Sequence, residues 1–297
     1  MLQTGFTGVP VFIAMKIVQN IQQAVEAANG LKQNGATLAL VPTMGNLHEG
    51  HLTLVREAAK HADHVAVSIF VNPLQFNNPK DLKTYPRTLD ADLAKLEQAG
   101  VDLVFTPTPE IMYPDGMDAH TFVFVPGLSD MLEGALRPGH FKGVTTVVTK
   151  LFNIFRPDCA MFGQKDFQQV AVLKKMVRDM AMQIKLIEVP IVRNENGLAL
   201  SSRNGLLTSE ERDRASLICR QMMQIRDQII AGRRDFRVLT EEAGVAIDAN
   251  DGFRTDSIDI VDADTLKPVS EQTTRIAVLM AVYLGTTRLI DSVSFDL

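Results

Sequence analysis

The stretch VPTMGNLHEGHLTLVREA, residues 41–58, passes from an apolar run into an amphipathic one, with two histidines, a glutamate and two glycines at the handover. TLALV (37–41) is a short apolar run bounded by Gly35 and Pro42, and it reads as a buried strand. HLTLVREAAKHA (51–62) has a helical apolar period, and HVAVSIFV (64–71) is β-rich again. Strand, helix, strand in this order predicts a parallel pair joined by a right-handed crossover. In such sheets ligands bind beyond the carboxyl ends of the strands, where the following helix points its N-terminus at anionic groups. PTMGNLHEGH occupies that turn. Gly45 permits a backbone conformation that other residues avoid, and Gly50 lets a ligand approach the first helical turn closely. His48 and His51 are expected to project their imidazoles toward the space that the free N–H groups face, an arrangement that suits a polyphosphate.

Working outward, residues 18–31 have a helical period, 90–100 form a helix ended by glycine, and 101–107 a strand stopped by proline. The alternation continues with a helix over 143–155, a strand over 159–163, a helix over 167–180 and a strand over 184–190. Residues 15–190 therefore read as a Rossmann-like, doubly wound α/β domain with a parallel sheet. After a loop at 193–207 the grammar changes to two helices (209–232, 238–249) and three strands (257–263, 275–284, 287–295), which predicts a smaller α+β domain over 191–297, able to act as a lid. Residues 1–14 carry an apolar patch but no basic n-region and no small-residue cleavage pattern; a poorly ordered leader is expected there.

At 297 residues, 46% hydrophobic and 22% charged, the chain can bury a large core. A formal charge of −5 disfavours a protein whose main partner is nucleic acid, since that needs a basic face. Cys159 and Cys219, both in apolar contexts, read as buried reduced thiols of a cytoplasmic chain. No run approaches the roughly 18 apolar residues of a membrane span.

Other readings of the histidine turn are weaker. Zinc proteases need H-E-x-x-H, whereas here the spacing is H-E-x-H with a glycine inside and no third ligand in view. A Walker loop does not occur at this turn. His61 and His64 fall at a helix end and read as surface or capping residues, and Glu49 as a first-turn carboxylate favoured by the helix dipole.

H-x-G-H after a strand and proline resembles the adenylate-forming and nucleotidyl-transferring Rossmann superfamily. The full stretch 41–55, together with SIFVNPLQF (68–76), YPRTLDAD (85–92), MLEGALRPGHFKGVTTVV (131–148), FGQKDFQQ (162–169) and GLALSSRNGLLT (197–208), resembles in the same order the pantoate–β-alanine ligases, or pantothenate synthetases. The resemblance spans residues 15–297. It implies an ATP-dependent ligase that joins pantoate to β-alanine through a pantoyl adenylate, releasing AMP and pyrophosphate. It places ATP on Met44, Gly45, Asn46, Leu47, His48, Glu49, Gly50 and His51, on Gly163, Gln164, Lys165 and Asp166, on Val192, and on Leu200, Ser201, Ser202 and Arg203. Catalytic roles go to His51, as proton donor to departing pyrophosphate, and to His48, Lys165 and Arg203. Leu200 stands where many relatives carry methionine, a swap that conserves volume, and Gln164 stands where glutamate is common.

Gln75 and Gln169 match the pantoate-binding positions, where an amide can donate to a carboxylate and accept from a hydroxyl. Phe70 and Phe76 wall the same pocket or belong to the core; Arg137 and His140 are left unassigned. Magnesium is implied by ATP. Asp90 and Asp92 are candidates by residue type alone, exposed helix-start carboxylates are the better reading, and no metal ligand is assigned. The resemblance also implies a homodimer with small-molecule substrates and neither nucleic acid nor membrane as partner. Two rivals remain: a nucleotidyltransferase moving AMP onto a phosphorylated acceptor, which would not require Gln75 and Gln169, and a noncatalytic adenine-nucleotide sensor.

Overall fold

Strands buried on both faces must be apolar at nearly every position, and the chain supplies such segments in alternation with amphipathic helices. The structure, a computed structural model, describes residues 14–297; apart from Ala14, the expected leader lies outside the described residues. The first half runs β1 (Lys16–Val18), α1 (Ile21–Leu31), β2 (Leu38–Thr43), α2 (Glu49–His61), β3 (His64–Ile69), α3 (Pro79–Thr84), α4 (Leu89–Gln98), β4 (Leu103–Phe105) and α5 (Pro109–Met112). Next come α6 (Glu133–Leu136), α7 (His140–Phe155), β5 (Cys159–Gly163), α8 (Phe167–Asp179) and β6 (Lys185–Val189). The C-terminal part holds α9 (Ser209–Arg214), α10 (Ser216–Ile230), α11 (Phe236–Asp248), β7 (Phe253–Asp262), β8 (Arg275–Leu284) and β9 (Thr287–Asp296).

The first six strands form one parallel sheet in the order β1-β4-β3-β2-β5-β6. From β2 the chain proceeds outward one way through β3 and β4 and the other way through β5 and β6. The switch point therefore lies between β2 and β5, where a doubly wound sheet opens a crevice beyond its carboxyl ends. Helices cover both faces: Ala24 and Ala28 of α1, Phe152 and Phe155 of α7 and Leu173 of α8 pack on Leu38, Leu40 and Phe105. Across the sheet, Leu54, Val55 and Ala58 of α2 and Leu96 of α4 pack on Val41, Val67 and Met161. β7, β8 and β9 form an antiparallel meander. Period-two alternation turns Ile276, Val278, Met280 and Val282 toward α10 and α11. Ala277, on the other face, joins Phe167, the first residue of α8, in a smaller apolar cluster.

The expected elements are present, with three corrections. Val18, counted into the first helix, ends a strand, because Asn20 caps α1 by accepting from the Gln23 N–H at 2.9 Å and so stops the helix short. The helix expected over 209–232 is two, α9 and α10, broken at Ala215, where the Ser216 hydroxyl donates to the Asp213 carbonyl at 2.7 Å. Cys159 is buried as expected, but Cys219 is only half-buried.

Candidate active site

The turn after β2 is built by its neighbours. The Thr43 hydroxyl donates to the Ser68 carbonyl at 2.7 Å, and Gly45 follows with φ +80°. A Cβ on Gly45 would stand 3.0 Å from Ile69 Cγ2 and 3.2 Å from Asp92 Oδ2, so both conformation and space require glycine. Asp92, fully buried in the first turn of α4, accepts the Asn46 N–H at 2.8 Å and the Leu47 N–H at 2.7 Å, and also the Thr88 hydroxyl at 3.1 Å. Lys95 donates to the Leu47 carbonyl at 2.6 Å. A buried carboxylate thus satisfies the two amides that lead into the histidine turn. Asp92 is not the exposed helix-start residue its TLDAD context suggests, whereas Asp90 is.

The same holds for the start of α2. His48 is its N-cap, and its Nδ1 accepts the Gly50 N–H at 3.1 Å; His51 Nδ1 accepts the His48 N–H at 3.3 Å. Two histidines thus form a reciprocal capping box. A Cβ on Gly50 would lie 2.9 Å from the His48 ring, so this glycine makes room for the imidazole in the first turn of α2. With Nδ1 accepting in both rings, the neutral tautomer carries its proton on Nε2. Burial, then the Lys165 and Lys95 cations, lower the His48 pKa to about 4, against the opposing pull of Asp166. Burial, then His48, Lys165 and Lys95, lower that of His51 to about 3. The helix dipole acts in the same direction. Both rings are neutral near pH 7 in the free protein and offer Nε2–H donors to the cleft, so an imidazolium acid at His51 is not part of this resting state.

A second group follows β5. Gly163 ends the strand, a 3-10 turn spans Gln164–Asp166, and the Lys165 ammonium lies largely buried, 3.9 Å from Asp166. A third is the hairpin 192–200, closed by the Leu200 N–H donating to the Val192 carbonyl at 2.9 Å. Beyond it, the Asn46 side chain donates to the Ser202 carbonyl at 2.9 Å and the Ser202 hydroxyl to the Asn46 carbonyl at 3.3 Å, which docks this loop on the histidine turn. Arg203 donates to Asp81 of α3 at 3.0 Å and lies over the Tyr85 ring, 5.9 Å from its centroid.

Gln75 is held from all sides. Asn72, buried, donates to its Oε1 at 3.2 Å, and its Nε2 meets the Met44 sulfur at 3.1 Å. Tyr113 donates to Asn72 Oδ1 at 2.7 Å. His140 Nδ1 donates to the Gln75 carbonyl at 2.8 Å; burial, then Arg137, lower the pKa of this ring to about 4. α7 passes so near that a Cβ on Gly143 would fall 2.4 Å from the Leu74 carbonyl oxygen and 2.6 Å from the Gln75 nitrogen.

These groups share one cleft of about 890 Å³ at the switch point. Met44, His48, Gly50, His51, Gly163, Lys165, Asp166, Val192 and Leu200 to Arg203 line it, with Gln75 and Gln169. Gly45, Asn46, Leu47, Glu49 and Gln164 do not. Leu47 is 2% exposed in the core, and Glu49 faces solvent paired with Arg56. Phe70 and Phe76 line the cleft too, Phe76 edge-on to Tyr85 at 5.7 Å, and so do the unassigned Arg137 and His140. Sequence reasoning missed Asn72, Asp81, Tyr85, Glu133, Asp256 and Arg288, all on the cleft wall. The NPLQ and YPR turns that carry Asn72 and Tyr85 were the available signal.

The family model for pantoate-beta-alanine ligase matches residues 16–294. The chain belongs to the pantoate–β-alanine ligase family. It is 59% identical to the pantothenate synthetase of Aeromonas hydrophila subsp. hydrophila over 278 residues, covering 94% of this chain and 97% of that protein. Among solved structures of the family, the pantothenate synthetase of Thermus thermophilus superposes with a TM-score of 0.86 at 41% identity, covering 94% of this chain and 99% of that one. The pantoate-beta-alanine ligase of Francisella tularensis, solved in complex with beta-gamma ATP and beta-alanine, gives a TM-score of 0.73 at 37% identity, covering 94% and 97%. The ligase-family fold thus accounts for both sheets.

Proposed function

We propose that the cleft joins pantoate to β-alanine at the expense of ATP. The observation that carries this is the convergence of three phosphate-suited groups, His48 with His51, Lys165, and Ser201 to Arg203, on the two amides Gln75 and Gln169 in one cavity. A carboxylate is a poor electrophile, so it must first gain a leaving group. A pantoate carboxylate oxygen attacks the α-phosphorus of ATP, the bond to the bridging oxygen breaks, and pyrophosphate departs. The amine of β-alanine then attacks the acyl carbon of pantoyl adenylate, AMP leaves, and the amine gives up a proton.

The chain's share is placement and charge. Nε2–H of His48 and His51 donate to phosphate oxygens, Lys165 supplies a compact cation and Arg203 a planar fork. Fixed by Asn72, Gln75 orients pantoate with Gln169, and Phe70 and Phe76 face its gem-dimethyl group. Val192 takes the adenine side. Magnesium offsets the charge of the triphosphate when bound. Among the described residues there is no cluster of three or more groups of the metal-ligating type. Asp81, Glu133 and Asp256 on the cleft wall are each hydrogen-bonded to an arginine, which leaves Asp166 as the carboxylate to meet the ion. Such a site fits Mg²⁺ carried mainly by phosphate and water.

Residues 191–297 serve as a lid that keeps water from the acyl adenylate. The unit at work is a homodimer in the cytoplasm; among the described residues no helix is long and apolar enough to cross a membrane. ATP–pyrophosphate exchange tests the reading. Exchange that requires pantoate supports it; exchange driven instead by a phosphorylated acceptor supports the nucleotidyltransferase, and no exchange with any acid the sensor.

A further inference from the structure

The two cations assigned to the phosphates come from different parts of the chain, Lys165 from the turn after β5 and Arg203 from the loop after the 192–200 hairpin, and both lead back to one dipeptide on β9. Arg193, in the hairpin, donates through Nη1 to Asp291 Oδ2 at 2.5 Å and through Nη2 to Asp291 Oδ1 at 2.9 Å. Nη1 also donates to the Gly197 carbonyl at 3.0 Å, across a turn in which Gly197 has φ +92°. Asp291 is 5% exposed and Ser292 3%. The Ser292 N–H donates to Asp291 Oδ1 at 2.8 Å, and the Ser292 hydroxyl donates to the Gln164 carbonyl at 2.9 Å, one residue before Lys165. Successive residues of a strand point to opposite faces, so Asp291 reaches the hairpin while Ser292 reaches the Lys165 turn.

We propose that Arg193, Asp291 and Ser292 are positioning residues for the phosphates: β9 acts as a ruler that fixes Ser201 to Arg203 relative to Lys165. The inference rests on the ligase reading of the cleft. None of the three residues lines the cleft, so they act only through the groups they hold. The bidentate Arg193–Asp291 pair is shielded from water, where a planar fork against a carboxylate fixes both distance and direction. Misplacement of a phosphate-binding group by about 1 Å is enough to cost on the order of 100-fold in rate. The lid is then part of the phosphate-binding machinery, not merely its cover.

The test compares wild type with Ser292→Ala, Asp291→Asn and Arg193→Lys in pantoate-dependent ATP–pyrophosphate exchange, with KM read separately for ATP and for pantoate, alongside urea unfolding. Ser292→Ala removes one hydroxyl and is expected to raise the ATP KM about threefold to tenfold while pantoate KM stays within about twofold. Arg193→Lys, which loses the fork, is expected to do more. A merely structural role would instead lower the unfolding midpoint and the active fraction and leave both KM values alone. Unchanged ATP KM in folded Ser292→Ala, or equal rises for ATP and pantoate, overturns the proposal. Should Asp291→Asn and Arg193→Lys fail to fold, Ser292→Ala decides by itself. Should wild type show no exchange, the ligase reading falls, and calorimetric titration of ATP into wild type and Ser292→Ala still tests the ruler: equal affinities reject it.

Discussion

Asp92→Asn isolates the support of the histidine turn from the histidines themselves. In the wild type both carboxylate oxygens accept a backbone N–H, from Asn46 at 2.8 Å and from Leu47 at 2.7 Å, in a fully buried site. Hydrogen bonds to a charged acceptor contribute about 1.5–3 kcal/mol each. Asparagine keeps one oxygen and turns an NH₂ group against the other amide, so it loses one such bond and leaves a buried N–H without a partner. The expected destabilisation is on the order of 2–4 kcal/mol, a large share of the roughly 5–15 kcal/mol available to a folded protein but short of abolishing the fold. Because Asn46 and Leu47 immediately precede His48, the rings shift with the turn, and kcat/KM for ATP should fall on the order of 10- to 100-fold. Urea unfolding and exchange kinetics measure the two effects on one preparation. The reasoning is refuted by an Asp92→Asn protein with an unchanged unfolding midpoint whose kinetic defect disappears at high Mg²⁺, for Asp92 would then serve the metal rather than the turn.

Gly143→Ala inserts a Cβ 2.4 Å from the Leu74 carbonyl oxygen, and the displaced Gln75 should raise pantoate KM by about tenfold or more, as 1 Å errors in positioning do; unchanged pantoate KM in a folded variant speaks against the close approach. Asp81→Asn releases Arg203 from a partly exposed ion pair at 3.0 Å, worth about 0.5–1 kcal/mol, and should lower ATP KM by about twofold to fivefold; a higher ATP KM would mean that Asp81 orients Arg203 for substrate. His48, His51 and His140 have pKa values lowered from 6.5 to about 4, 3 and 4. The unfolded chain binds protons below pH 6.5 that the folded one refuses, so their contribution to stability is full above that pH and is lost as pH falls toward 4. Denaturant midpoints between pH 7 and 4.5 should therefore decline, less steeply in His140→Gln; parallel declines would contradict the assignment.

The sheet was legible because parallel strands such as LALV and VAVSI are continuous apolar runs between helical periods, a pattern that depends on burial alone. The histidine turn was legible as a site but not as a mechanism. Histidines at the N-cap and N3 positions have the spacing of a capping box, yet which ring nitrogen faces the ligand depends on backbone amides that no pattern displays. Asp92 was misread for a similar reason: its partners lie 46 and 45 positions away, and TLDAD is what a surface helix start looks like. Asn72, Glu133 and Arg288 escaped notice because each acts through a contact across the fold, Arg288 reaching Glu133 from the C-terminal sheet at 2.7 Å. Gly143 shows the same limit, since only the position of the Leu74 backbone gives that glycine its meaning.

The most direct trial of the account is a crystal structure with a non-hydrolysable ATP analogue and pantoate bound together. Phosphate oxygens are expected at about 3 Å from Nε2 of both His48 and His51, with Lys165 and Arg203 on the same triphosphate and Nδ1 of each ring still on its backbone amide. A triphosphate lying away from these rings, or rings turned to offer Nδ1, would contradict it.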